Sequence, residues 1–376
     1  PVAADAYLIA VPTPFKDLHE PDMVFVESAA KSIAPVLKKG ALVILESTSP
    51  VGSTEQMAAW LAEMRPDLSF PQQAGEAADV NIAYCPERVL PGQVMVELIK
   101  NDRVIGGMSP VCSARASELY KIFLEGECVV TNSRTAEMCK LTENSFRDVN
   151  IAFANELSLI CAEQDINVWE LIRLANRHPR VNILQPGPGV GGHCIAVDPW
   201  FIVAQNPQQA RLIRTAREVN DHKPDWVIEQ VKARVADCLA ASNKRASELK
   251  IACFGLAFKP NIDDLRESPA MAIAAQIARW HGGETLVGQP AKRHRAENRE
   301  TRTARRQARG RDNGRMDPAS PTRVEPARPR QCSMPEEFSK NSGISASRVW
   351  PSSVLIWKLP RMVPCGVFST VPLTYS

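Results

Sequence analysis

The sequence predicts an α/β fold: a doubly wound parallel sheet, then a central all-helical domain and the start of a second α/β domain. Continuous apolar runs such as residues 6–11 and 41–45 alternate with segments of helical spacing, and strands buried in a parallel sheet have this composition. Residues 135–164 then carry a long helical pattern without internal Gly or Pro. The predicted domains are 1–132, 133–245 and 246–290, followed by a tail over 291–376.

The first predicted domain alternates strands with helices. Pro12 and Pro14 are placed to end the first strand, and Gly40 to end the first helix. Strands are predicted at 6–11, 41–45, 81–84, 103–107 and 128–130, and helices at 23–39, 53–64 and 113–124. This order is that of a truncated Rossmann-like domain.

The later segments predict more helices and one further α/β unit. Helices over 168–177 and within 210–241 complete the central domain. Residues 250–258 predict a strand, and Ser268 before Pro269 is typical of the start of a helix, here reaching residue 281. Residues 284–287 begin another strand.

Composition excludes several classes of protein. No apolar run in the 376 residues reaches the ~18 residues that a membrane span needs. The N-terminus lacks the charged-then-apolar pattern of a signal peptide. The ten Cys are scattered without C-x-x-C pairs, which argues against a metal site or a disulfide framework and favours a reducing, cytoplasmic setting.

Charge is distributed unevenly along the chain. Residues 1–290 hold 28 Lys and Arg against 35 Asp and Glu, whereas residues 291–376 hold 17 against 7. Residues 291–330 are rich in Arg and nearly free of large aliphatic side chains, so they cannot bury enough apolar surface to fold. Residues 348–376 are apolar again but have neither helical nor strand periodicity.

Two hypotheses account for this tail. One is a basic arm that binds RNA or another polyanion. The other is translation in a shifted frame after about Val287, because GC-rich codons read out of frame yield Arg, Pro, Ala and Ser. The last strand pattern breaks off midway, and no aromatic residues interleave with the arginines as stacking platforms would. We therefore expect a disordered, frame-shifted tail and no nucleic-acid partner.

The glycine loop, Gly187-Pro-Gly-Val-Gly-Gly192, is the strongest candidate for chemistry. Four glycines in six positions allow the backbone to approach a ligand closely. Cys194 follows at once and Asp198 four residues later, and a thiol on such a loop suggests a nucleophile presented to a small electrophile. A buried cysteine beside a turn is the plainer alternative. We expect no strand before the loop and no helix after it, so a dinucleotide fingerprint is not predicted.

The loop resembles that of the UDP-glucose/GDP-mannose dehydrogenase family, in which a G-G-x-C-x-x-x-D motif carries the catalytic cysteine. Gly191-Gly192-His193-Cys194 with Asp198 fits the motif. His193 with Ile195-Ala-Val197 is most similar to the branch that oxidises UDP-N-acetyl-D-mannosamine. The resemblance covers residues 1 to about 287.

The resemblance implies NAD as cofactor and a UDP-sugar as substrate. It also implies a homodimer through the long central helix. The implied reaction is a four-electron oxidation of a sugar CH₂OH to a carboxylate, by way of a thiohemiacetal and a thioester on cysteine. Its pathway would be surface polysaccharide synthesis, with enterobacterial common antigen as the leading case.

The same resemblance implies catalytic roles. Cys194 would be the nucleophile, Lys140 the nearby cation, and Asn144, one turn along the same helix face, a second donor to the oxyanion. Asp198 would assist proton removal, Glu87 would act as acid and base at the thioester stage, and Thr48 would hold a water. By themselves the residues leave plainer roles open: a solvated helix face, turns, and a cap for the helix that begins near Ser53.

Further contacts are implied in the same way. Cofactor-binding residues would be Thr13, Pro14, Glu46, Ser47, Thr48 and Arg266. Substrate-binding residues would be Glu87, Arg88, Val89, Lys140, Asn144, Arg177, His178, Arg180, Gly191 and Lys259. One residue of the set at 177, 178 and 180 would reach substrate across the dimer.

The sequence departs from the family at both ends. No strand, G-x-G-x-x-G turn and helix precede residue 6, although a dinucleotide fold begins with that unit. The last domain stops near Val287. We therefore expect feeble or absent catalysis from this chain. Two alternatives stand beside this function: a related dehydrogenase acting on UDP-N-acetylglucosamine, UDP-glucose or GDP-mannose, and a non-catalytic dimerising fragment with a polyanion-binding tail.

Overall fold

The computed structural model describes residues 2–16, 19–89, 94–257, 265, 267–288 and 354–356 of the chain. These residues form two compact units. The first contains residues 1–230 and 264–270, and the second contains residues 231–263 and 271–376. No helix among the described residues is long and apolar enough to cross a membrane.

A five-stranded sheet organises the first unit. Its strands lie in the order β1 (Ala6–Ile9), β2 (Leu42–Leu45), β3 (Asn81–Tyr84), β4 (Arg103–Gly107) and β5 (Cys128–Asn132). The pairs β1–β2, β2–β3 and β4–β5 are parallel, whereas β3 and β4 are antiparallel. Every residue of β2 and β3 is buried, which explains their continuous apolar runs.

Helices cover both faces of this sheet, so the predicted doubly wound fold is confirmed. Val43 and Leu45 of β2 pack in the core under α1 (Val24–Ile33) and α2 (Ser53–Met64). The alternate residues Leu42 and Ile44 pack on the opposite side against α5 (Pro110–Tyr120). Two short helices, α3 (Pro71–Ala74) and α4 (Val94–Lys100), were not predicted.

Local signals set several helix ends. The predicted helix 23–39 stops at Ile33, because Pro35 turns the next three residues into a 3₁₀ helix. Helix α2 matches its predicted bounds, but Gly52 and not Thr48 is its N-cap, so the capping alternative for Thr48 is wrong. Helix α5 starts three residues earlier than predicted, because the Ser109 hydroxyl accepts a hydrogen bond from Cys112 N.

The central region is helical, as predicted. Its elements are α6 (Ser133–Glu163), α7 (Val168–Ala175), α8 (His193–Gln205) and α9 (Arg211–Ala240). Asn132 caps α6 by accepting a hydrogen bond from Thr135 N at 2.9 Å. Helix α9 is continuous through Pro224.

The second unit contains a small parallel sheet in the order β7–β6–β8, formed by β6 (Lys250–Phe254), β7 (Glu284–Gly288) and β8 (Val354–Ile356). Helix α10 (Pro269–His281) precedes β7, as predicted. Strand β8 corrects the expectation that 348–376 hold no strand, because the open edge of β6 offers backbone partners to an apolar segment. The remainder of the predicted tail, 291–353 and 357–376, lies outside the described residues.

Candidate active site

The glycine loop ends at the N-terminus of a helix. Gly189 has a φ of +136° and Gly192 a φ of 80°, which residues with a Cβ rarely adopt. Gly192 is the N-cap of α8, and Cys194 is the second residue of that helix and is exposed. The expectation of no helix after the loop is therefore wrong. Pro199 inside α8 removes one backbone hydrogen bond, and the apolar packing of α8 on α6 offsets that loss.

Helix α8 is held against α6 by an apolar cluster. Leu141 of α6 packs with Val197 and Phe201 of α8, and all three are buried. The two helices also meet through polar side chains, Asn144 of α6 and Asp198 of α8. A cysteine in the first turn of α8 also lies where the helix dipole stabilises a negative charge.

Asn144 and Asp198 meet directly at the junction of α6 and α8. The Asn144 side-chain amide donates a hydrogen bond to Asp198 Oδ2 at 2.5 Å, and Asp198 is only 2% exposed. Burial raises the pKa of Asp198 from 3.8 to about 7, although the Asn144 hydrogen bond and the Lys140 charge act in the opposite direction. A carboxyl that titrates near neutral pH can both accept and return a proton.

Lys140 is buried beside the same carboxyl. Its ammonium donates a hydrogen bond to the backbone carbonyl of Glu87 at 2.7 Å. The Glu87 side chain itself is exposed, and its carboxylate accepts a hydrogen bond from Val89 N. Lys140 therefore fixes the backbone of the 85–89 loop and leaves the Glu87 carboxylate open to solvent.

Arg88 ties the same loop to α6. Its guanidinium forms two contacts with the carboxylate of Glu143, at 2.6 and 3.2 Å. Such a paired contact holds the plane of the guanidinium. The 87–89 loop is thus held against α6 at Lys140 and at Glu143.

Three of the predicted cofactor residues, Thr13, Ser47 and Thr48, lie just after the carboxyl ends of β1 and β2. The Thr13 hydroxyl donates to the carbonyl of Thr48 at 2.5 Å. The Ser47 hydroxyl accepts from Val11 N and donates to Val11 O, both at 2.8 Å. The carboxyl edge of parallel strands is where open α/β sheets bind dinucleotides, so these residues fit a nicotinamide dinucleotide.

Three domains of one family match the chain in sequence. They are the NAD binding domain over residues 1–124, the central domain over 134–222 and the UDP binding domain over 252–309. The chain belongs to the UDP-glucose/GDP-mannose dehydrogenase family. It is therefore classed among NAD-dependent nucleotide-sugar dehydrogenases, and its first domain is an NAD binding domain.

Relatives within this family are close. UDP-N-acetyl-D-mannosamine dehydrogenase of Escherichia coli (strain K12) is 91% identical over 290 residues, which are 77% of this chain and 69% of that protein. NDP-N-acetyl-D-galactosaminuronic acid dehydrogenase of Ralstonia solanacearum is 64% identical over 290 residues, with 77% and 67% covered. The solved UDP-D-ManNAc dehydrogenase of Pyrococcus horikoshii is 40% identical with a TM-score of 0.68, and the match covers 76% of this chain and 66% of that one.

Glu46 of this dehydrogenase chain turns toward the sheet. Its carboxylate accepts a hydrogen bond from the Tyr120 hydroxyl at 2.5 Å and lies 3.6 Å from the Arg103 guanidinium. Arg103 also stacks on the Tyr120 ring at 4.5 Å. Burial, with the charges of Cys85 and Glu46, raises the pKa of Tyr120, so this hydroxyl stays protonated. The described side chain of Glu46 is thus engaged in a protein network.

Glu137 was missed by the sequence analysis. It is fully buried on α6, and its carboxylate accepts hydrogen bonds from Gly52 N at 2.6 Å, Thr54 N at 2.8 Å and the Thr54 hydroxyl at 2.7 Å. Glu137 therefore caps α2 from α6, three residues before Lys140. The sequence holds one signal for such a distant cap. The residue before α2 is Gly52, which has no side chain to cap the helix itself.

The remaining predicted substrate and cofactor residues are exposed, half-buried or outside the described residues. Arg177, His178 and Arg180 follow α7 and have exposed side chains, and Gly191 is half-buried in the glycine loop. Lys259 and Arg266 lie outside the described residues. Among the residues that are described, no group of three or more His, Cys, Asp and Glu could hold a metal ion.

Proposed function

We propose that this protein oxidises the C6 alcohol of UDP-N-acetyl-D-mannosamine to a carboxylate. The overall reaction consumes the alcohol, two NAD⁺ and one water, and yields the uronate, two NADH and three protons. The observation that carries the proposal is the junction of α6 and α8: Asn144 of α6 binds the near-neutral Asp198, the charge of Lys140 acts on the same carboxyl, and Asp198 follows Cys194 by one turn of α8. Relatives named for this substrate support the choice of sugar.

The first oxidation needs a proton acceptor. Asp198 takes the hydroxyl proton of the sugar, directly or through water, since its pKa near 7 lets it be ionised at neutral pH. When bound at the carboxyl edge of β1 and β2, NAD⁺ supplies the hydride acceptor for both oxidations. Thr13, Ser47 and Thr48 are the described residues that would hold it.

Cys194 then captures the aldehyde. Its sulfur forms a bond to the carbonyl carbon, and the oxygen becomes an oxyanion that Asn144 and Lys140 stabilise by hydrogen bonds. The thiohemiacetal so formed is the species oxidised in the second step. Covalent capture also keeps the aldehyde from leaving.

Hydrolysis releases the acid. Water attacks the thioester carbon, the carbon–sulfur bond breaks, and the thiolate of Cys194 is restored. The exposed carboxylate of Glu87 takes a proton from the attacking water, and Thr48 holds a water near the cofactor. Arg88 and Val89 contact the substrate from the same loop.

The choice of sugar is tested by assay. The chain is incubated with NAD⁺ and, separately, UDP-N-acetylmannosamine, UDP-N-acetylglucosamine, UDP-glucose and GDP-mannose, and NADH absorbance and product mass are followed. We expect two NADH for each uronate, with the N-acetylmannosamine substrate preferred at least about tenfold in kcat/KM. Preference for another sugar contradicts the proposed substrate. The same assay tests the expectation of slow turnover, with Cys194→Ser as the inactive control.

We also propose a homodimer through α6. Met138, Phe146, Phe153 and Ile160 are exposed apolar side chains spaced seven or eight residues apart, so they form one stripe along the helix. Phe146 is 68% exposed and Phe153 is 52% exposed. A stripe on a 31-residue helix can pair with its own copy about a two-fold axis.

A charge on this stripe should prevent the association. The double variant Phe146→Asp with Phe153→Asp is expected to sediment as a monomer, because each pairing would bury an uncompensated carboxylate. Ile122→Asp changes a still more exposed apolar residue outside α6 and should leave the dimer intact. Sedimentation of the wild-type chain as a monomer at micromolar concentration would contradict the proposal.

The proposed product is a building block for surface polysaccharides, and enterobacterial common antigen is the pathway that the resemblance implies. The cytoplasmic setting stays a prediction from the cysteine pattern.

A further inference from the structure

A buried polar chain joins α6 and α9 to the start of the glycine loop. The side-chain oxygen of Asn155, which is 0% exposed, accepts a hydrogen bond from Gly187 N at 2.8 Å. The Asn155 amide donates to Asn220 Oδ1 at 2.8 Å. Asn220 in turn donates to Asp148, at 2.8 Å to the carboxylate and at 3.1 Å to the carbonyl. Arg217 donates to the same carboxylate at 2.6 Å.

The loop also packs against α9 two residues further on. A Cβ placed on Gly189 would lie 3.1 Å from Cγ of Pro224 and 3.0 Å from Cβ of Pro269. Asn220, which binds Asn155, and Pro224, which packs on Gly189, are four residues apart and so lie on one face of α9. Hydrogen bonding at Gly187 and packing at Gly189 therefore hold the loop at two points.

The direction of the hydrogen bonds fixes the register of the loop. Asn220 uses its amide on Asp148, so its oxygen can only accept, and Asn155 must donate to it. The oxygen of Asn155 is then the group that faces Gly187. A shift of the loop by one residue would leave the buried oxygen of Asn155 without a donor, because Pro186 and Pro188 on either side of Gly187 have no N–H.

We infer that Asn155 is a positioning residue that sets where the glycine loop delivers Cys194. The inference rests on the proposed function, in which Cys194 is the nucleophile. Gly187 is five residues before Gly192, the N-cap of α8, so the anchored end of the loop determines where that helix begins. Asn155 itself is buried three turns from Asn144 and touches no reacting atom.

The test compares Asn155→Ala with the wild-type chain in two measurements. Backbone hydrogen exchange is followed over residues 183–195, and alkylation of Cys194 by iodoacetamide at pH 7 is followed by peptide mass spectrometry. We expect faster exchange confined to the loop and about tenfold slower alkylation, because the thiolate population falls when Cys194 leaves its place. Asn150→Ala removes a half-buried asparagine from the same helix and should behave like the wild type.

A second variant separates positioning from general damage. Asn220→Ala keeps the bond to Gly187 and should have a smaller effect on both measurements. The double variant should be no worse than Asn155→Ala alone, because both residues act through one chain of hydrogen bonds. Additive effects would overturn the inference.

The other possible outcomes of these measurements also test the role of Asn155. Unchanged exchange in the loop, or changed exchange with unchanged alkylation, overturns the inference. If Asn155→Ala exposes the buried Cys85 and Cys112 to alkylation, the chain has unfolded, and Asn220→Ala then carries both measurements with the same criteria. A wild-type Cys194 no more reactive than free cysteine contradicts the proposed function, whereas variants that match the wild type contradict the role of Asn155.

Discussion

Lys140→Met should lower acid formation by at least about 10³-fold, because in the proposed mechanism Lys140 is both the cation that stabilises the thiolate and one oxyanion donor. Methionine keeps the length and the apolar stem of lysine, so α6 retains its packing. The bond from the ammonium to the Glu87 carbonyl is also lost. Product is quantified by mass under saturating NAD⁺ and UDP-sugar.

The control for this prediction is Lys31→Met, which removes an exposed lysine paired with Glu27 on α1. It should leave turnover within twofold of the wild type, since surface pairs contribute little. A Lys140→Met chain with more than about a tenth of wild-type acid formation would remove Lys140 from the mechanism.

Asp198→Asn should make the protein more stable and less active at the same time. The pKa of Asp198 rises from 3.8 to about 7 on burial, so folding favours the protonated carboxyl. This stability is fully present below about pH 4 and is lost as pH rises through about 7. Each pKa unit corresponds to about 1.4 kcal/mol, so at pH 8 the neutral asparagine should raise the free energy of unfolding by up to about 4 kcal/mol.

The matched control is Asp225→Asn, an exposed aspartate on α9, which should change stability little at either pH. Urea unfolding of each variant at pH 8 and at pH 4 gives the comparison. The gain from Asp198→Asn should vanish near pH 4, where the wild-type carboxyl is already neutral. A variant less stable than the wild type at pH 8 would contradict the burial argument.

Activity should move in the opposite direction in the same variant. Loss of the proton acceptor is expected to lower kcat by about 10²–10⁴-fold. In the wild-type chain kcat should rise with pH through about 7 as Asp198 ionises. Together the two results would show that the Asp198 carboxylate lowers the stability of the folded chain and is needed for activity.

Local pattern was enough to predict most of the fold. Helix α2 and strands β3 and β4 have their predicted bounds, because they combine a continuous or periodic apolar pattern with adjacent turn residues. The long helix α6 lies within two residues of its prediction. Caps such as Asn132 and Ser109 explain the small differences.

Interactions between distant segments account for what the sequence did not predict. Helix α8 was missed because Pro199 and the glycines argue locally against a helix, whereas packing of Phe201 on Leu141 decides for one. Strand β8 forms on the open edge of β6, about a hundred residues earlier in the chain. Glu137 caps a helix whose N-cap residue, Gly52, is 85 residues away.

The sequence predicted which residues form the candidate site but did not predict how buried their side chains are. The family resemblance indicates both Asn144 and Asp198, and the structure brings them within hydrogen-bonding distance. The near-neutral pKa of Asp198 arises from burial between α6 and α8, which no spacing in the sequence reveals. The catalytic roles themselves stay predictions.

The most direct measurement is the rate at which iodoacetamide alkylates Cys194 at pH 7, in the wild-type chain and in Lys140→Met. Cys194 is an exposed residue, so the reagent can reach it. An ammonium that stabilises the thiolate should make the wild-type rate at least about tenfold faster. Equal rates would show that Lys140 does not activate Cys194 and would contradict the proposed mechanism.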